Sequence, residues 1–66
     1  MPEALAALPD ELRAGLRLAV ETIDLETTNS MIERIREHNP PLADELAKLV
    51  KRYRFDILQE LFEEIE

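Results

Sequence analysis

The chain has 66 residues, a formal net charge of −7 and no cysteine. Its length fits one small domain, and without cysteine it forms neither a disulfide framework nor a thiolate metal site. An acidic chain repels nucleic acid and anionic membranes, so we expect neither as a partner. No apolar run reaches the roughly 18 residues of a membrane span, and the chain start lacks a secretory signal, so we expect a cytoplasmic protein.

The first eight residues are predicted to be a lead-in or linker, with a single four-helix module over residues 9–66. Alternatively, residues 1–8 form a helical turn that docks Leu5 and Leu8 on the core. The first predicted helix runs from Pro9, a residue suited to a first turn, to about Thr22. Gly15 inside it suggests the close approach of another backbone. The predicted buried stripe of this helix is Leu12, Leu16, Ala19, Val20 and Ile23.

The second predicted helix begins after Asp24, whose carboxylate can accept from backbone N–H groups two and three residues later. It ends by about His38, because each proline of Asn39-Pro40-Pro41 disfavours a helical conformation in the residue before it. The residues predicted to face inward are Leu25, Thr28, Met31, Ile32 and Ile35.

Pro41 is predicted to open a third helix that runs to about Tyr53, and Asp56 to cap a fourth. The inward positions of the third helix are Leu42, Leu46, Leu49, Val50 and Tyr53, and those of the fourth are Leu58, Leu61, Phe62 and Ile65. Connections of two to four residues favour antiparallel neighbours. The sequence therefore predicts an all-α fold, a small bundle of four short antiparallel helices arranged as two stacked helical hairpins.

The order of these signals resembles a known family. Leu-Pro-Asp-Glu-Leu opens the module, and the helices carry these motifs in turn: Ile23-Asp24-Leu25, Ile32-Glu-Arg-Ile35-Arg-Glu-His-Asn39-Pro40, Leu42-Ala43-Asp44-Glu-Leu46 and Phe55-Asp56-x-Leu58-x-x-Leu61. Over roughly residues 8–63 the chain resembles the helical C-terminal extension that follows the receiver domain in bacterial hybrid sensor histidine kinases and response regulators. Family members often carry a glycine where this chain has Ile23.

The resemblance implies a non-catalytic interaction or regulatory module in two-component signal transduction. Its expected partner is a second copy, which would make a homodimer, or the adjacent receiver or kinase domain. No catalytic residue of a kinase or receiver is present to carry over, and we predict no enzyme activity and no cofactor.

The candidate contact surface consists of Ala14 and Leu18, which lie off the buried stripe of the first helix, together with Ile57 on the fourth. Exposed leucines are common on protein surfaces, so simple exposure is the alternative. His38 is a candidate phospho-acceptor, but it lies at a helix end and lacks a His-x-x-Lys-Gly pattern. A histidine that complements the helix dipole is the favoured interpretation.

Other polar clusters favour simple solvation. The basic residues Lys48, Lys51, Arg52 and Arg54 match the negative end of a helix dipole better than they match a nucleic-acid patch. A single histidine and no cysteine argue against a transition-metal site. Three hypotheses remain: an interaction module of a signalling protein, a minimal phosphotransfer domain that uses His38, and an independent small dimerising protein.

Overall fold

The computed structural model describes residues 2–65, which form five helices and no strand. The helices are α1 (Pro2–Ala6), α2 (Asp10–Glu21), α3 (Leu25–Arg36), α4 (Pro40–Lys51) and α5 (Phe55–Glu64). The predicted all-α bundle is therefore confirmed, and α2 to α5 correspond to the four predicted helices. The pairing of these helices into two stacked antiparallel hairpins stays a prediction.

The short helix α1 packs onto the bundle instead of extending away from it. Leu5 is fully buried and Leu8 nearly so, and α1 contacts α5. The guanidinium of Arg13 donates to the backbone carbonyls of Ala6 (2.9 Å) and Leu8 (3.0 Å), which fixes the connection between α1 and α2. This arrangement corresponds to the helical-turn alternative for residues 1–8. A role for these residues as a linker from a preceding domain remains a prediction.

One leucine-rich core holds the helices together. Helix α3 packs between α2 and α4, and α5 contacts both α2 and α4. An ion pair between Arg36 and Asp44 also joins the end of α3 to the start of α4, and it raises the pKa of Arg36. The predicted inward residues that the structure buries are Leu12, Leu16, Ala19, Val20, Thr28, Met31, Ile32, Ile35, Leu42, Leu46, Val50, Leu58 and Phe62.

Three residues predicted to face the core are instead exposed, and for these the prediction was wrong. Ile23 is 61% exposed, Leu25 is 40% exposed and Tyr53 is 73% exposed. Ile23 and Tyr53 lie beyond the last residues of α2 and α4, where the helical period no longer directs side chains inward. Leu25 is the first residue of α3, and the buried stripe of that helix begins one turn later at Thr28.

Helix α2 ends in a Schellman turn, with Ile23 in the left-handed conformation at φ 52°. The backbone N–H of Ile23 donates to the carbonyl of Val20 (3.2 Å), and that of Asp24 donates to the carbonyl of Ala19 (2.9 Å). Helix α3 then begins at once, because Asp24 accepts the backbone N–H of Thr27 at 3.1 Å, which confirms the predicted cap.

Helix α4 ends in the same way, with Tyr53 at φ 57°. The N–H of Tyr53 donates to the carbonyl of Val50, and the N–H of Arg54 donates to the carbonyl of Leu49, both at 2.9 Å. The pattern of the two bonds is that of the turn after α2. Each of these turns places a large apolar residue where glycine is usually found.

The starts of α4 and α5 differ in detail from the predictions. Asn39 caps α4 by accepting the N–H of Leu42 at 3.2 Å, so that Pro40 is the first helical residue rather than Pro41. The prediction that Asp56 caps α5 was wrong, because the helix begins at Phe55 after Arg54. The Asp56 carboxylate instead pairs with Arg54 (3.1 Å), and hydrogen bonding to this guanidinium lowers the pKa of Asp56.

The prediction for Gly15 also needs correction. A Cβ atom at this position would lie 2.6 Å from Cε of Met31, a side chain of α3. Glycine therefore leaves room for the methionine side chain and not for an approaching backbone.

Candidate functional site

Ala14 and Leu18 form an exposed strip on α2. The two residues are four apart, so they lie on the same side of the helix. Leu18 is 62% exposed and follows the fully buried Leu16 by two residues, a rotation of about 200° around the helix axis. The strip therefore faces away from the core, as the sequence predicted for a contact surface, while binding through it stays a prediction.

Ile57 does not join this strip. Gln59 directs its amide toward α2, where Nε2 donates to the carbonyl of Val20 at 3.3 Å. Ile57 precedes Gln59 by two residues and is rotated from it by about 200°, so it faces away from α2. Of the three residues proposed for one surface, the structure places Ala14 and Leu18 together and Ile57, which is half-buried, elsewhere.

A groove between α2 and α5 borders the strip. It encloses about 210 Å³ and is lined by Arg13, Ala14, Arg17, Phe62 and Ile65. Ala14 thus belongs both to the exposed strip and to the groove wall. Arg17 forms an ion pair with Glu21 at 3.0 Å, so charged groups stand beside an apolar floor. This combination suits the side chains of a docked protein surface better than it suits a small polar substrate.

His38 is exposed and lies two residues beyond the last residue of α3. Its backbone N–H donates to the carbonyl of Ile35 at 2.9 Å, which places the residue in the helix-ending turn. The groove beside it includes Arg34 as its cation and the carboxylates Glu11 and Glu37. Two carboxylates against one guanidinium leave the groove beside His38 with a net negative charge, which disfavours a phosphoryl group.

Within residues 2–65 no three histidine or acidic side chains come close enough to hold a metal ion. The acidic residues Glu60, Glu63 and Glu64 are exposed along α5. None of the described helices has the length and apolar character required to cross a membrane.

The sequence prediction missed a second exposed apolar surface, which we name the turn patch and define as Ile23, Leu25 and Tyr53. Leu25 and Tyr53 line a shared groove of about 300 Å³, together with Asn29, Ala47, Val50 and Lys51. Ile23 precedes Leu25 by two residues, and the chain can separate them by no more than about 7 Å. The sequence contained an indication of this surface. Because Asp24 caps the next helix, Ile23 must lie in the turn between the two helices.

Comparison with known proteins decides the family. The model of the hybrid histidine kinase–response regulator C-terminal domain matches residues 1–63. The chain belongs to this family. No curated protein and no solved structure matches it significantly.

Membership in this family confirms the resemblance seen in the sequence. A C-terminal domain of a hybrid histidine kinase–response regulator is one part of a multidomain two-component protein. Other domains of that protein are therefore natural candidates for contact with the exposed surfaces of this domain. The matched region also includes α1, whose leucines are part of the core.

Proposed function

We propose that this C-terminal domain is a non-catalytic interaction module of a cytoplasmic two-component signalling protein. Its working surface is the strip of Ala14 and Leu18 on α2 and the adjoining groove against α5. The observation that carries the proposal is the exposure of Leu18, a large apolar side chain directed away from a complete core. The occupant is a neighbouring receiver or kinase domain, or a second copy of the domain.

The energetics suit a regulatory contact. Full burial of one leucine side chain contributes about 1.5–3 kcal/mol, and the half-buried Ile65 in the groove supplies further apolar surface. A few kilocalories per mole are sufficient to bias the equilibrium between two domain arrangements. The domain then acts by docking and needs no reacting group of its own.

Leu18→Asp tests the proposal. We expect the variant to remain helical, because Leu18 lies outside the core, and to lose self-association or binding to the receiver domain of the same protein. Light scattering across a range of concentrations measures self-association, and calorimetry with the isolated receiver domain measures docking. Ser30→Asp, which adds the same charge at an exposed position of α3, is the control. If Leu18→Asp unfolds the domain, Leu18 is a core residue and the proposal fails.

Phosphotransfer through His38 is the second candidate, and the exposure of the imidazole is the observation in its favour. Incubation with a receiver phosphorylated with ³²P, comparing wild type with His38→Gln, separates it from docking. Label on the wild type alone would establish phosphotransfer. The absence of label on both would dismiss it and leave the interaction proposal intact.

A further inference from the structure

We draw no further inference here: the strongest candidate, the exposed apolar groove of the turn patch at the end of the bundle where α2 and α4 terminate, carries nothing, because the exposed carboxylates of Asp24 and Glu26 balance its two neighbouring cations and nothing in the structure shows what covers it.

Discussion

The carboxylate of Asp24 accepts two hydrogen bonds from Thr27, one from its hydroxyl at 2.7 Å and one from its backbone N–H at 3.1 Å. These bonds, the hydroxyl first, lower the pKa of Asp24 from its ordinary value of 3.8. One residue thus closes the turn after α2 and starts α3. Its backbone N–H closes the turn after α2, and its ionised side chain caps the start of α3.

A pH dependence follows from the Asp24 cap. Because its pKa is lower in the folded than in the unfolded chain, ionised Asp24 stabilises the fold above pH 3.8, and this contribution is lost as pH falls toward the folded pKa. We expect the stability difference between wild type and Asp24→Ala to be constant near neutral pH and to shrink below pH 3.8. Urea unfolding followed by circular dichroism across this range measures it.

Asp24→Asn provides the matched control for that series. Asparagine also caps helices, but it does not titrate, so its difference from Asp24→Ala should not change with pH. The pKa of Asp56 is also lowered, mainly by the hydrogen bond from Arg54. Taking the difference in the free energy of unfolding between two of the proteins removes its contribution, because Asp56 is the same in both. If the differences in the free energy of unfolding among wild type, Asp24→Ala and Asp24→Asn all stay constant with pH, the cap does not depend on the charge of Asp24.

Thr28 is fully buried, and its hydroxyl oxygen has no hydrogen-bond partner among the described residues. Replacing an unsatisfied buried polar group with an apolar group of the same shape is neutral or favourable. We expect Thr28→Val to increase the free energy of unfolding by about 1 kcal/mol, measured by urea denaturation. Thr27→Val, which removes a paired hydroxyl one residue earlier, should instead lower it. A destabilised Thr28→Val would indicate that the hydroxyl is satisfied in solution.

The two left-handed turn residues predict a gain in stability on substitution by glycine. The conformation costs a non-glycine residue about 1–2 kcal/mol, and glycine loses about 0.5–1 kcal/mol more backbone entropy on folding. Ile23→Gly and Tyr53→Gly should therefore each stabilise the domain by about 0.5–1 kcal/mol in thermal or urea unfolding. Ile23→Ala keeps the strain and should show no gain. Equal effects of glycine and alanine would mean that the strain is absent.

Leu5 predicts that α1 belongs to the folding unit. It is fully buried in the core, so Leu5→Ala should reduce the free energy of unfolding by about 2–5 kcal/mol. In a domain of this size that loss is a large part of the total stability. Ala6→Ser, at an exposed position of the same helix, should have little effect. Near-normal stability of Leu5→Ala would show that α1 is an appendage, as the linker hypothesis requires.

Much of the fold was predictable because apolar spacing and caps act locally. The apolar stripes of α2 and α4 correctly predicted Leu16 and Leu46 as core residues. Asp24 predicted the start of α3, and Asn39-Pro40-Pro41 predicted the break between α3 and α4. Ile23 and Tyr53 were misassigned because the helical period was extended past the last turn. After a helix ends, the direction of a side chain depends on the backbone φ of its residue. The spacing of apolar residues in the sequence contains no information about this angle.

The candidate site was predictable only in part for a related reason. Ala14 and Leu18 lie on one helix, so their common face follows from a spacing of four residues. Ile57 lies on another helix, and the rotation of α5 about its axis is set by tertiary contacts such as the bond from Gln59 to Val20. Similarly, the neighbour of Gly15 is a side chain of α3, which no pattern within α2 identifies.

The two bonds from Arg13 to the carbonyls of Ala6 and Leu8 have a mechanical consequence. They couple α1 to α2 across a connection of three residues, while Leu5 anchors the same helix among the core leucines. A polypeptide joined to α1 is therefore attached to a helix that is packed on the bundle, and not to a flexible linker. We therefore expect a displacement of α1 to be passed to α2 and to the strip of Ala14 and Leu18 on its outer side.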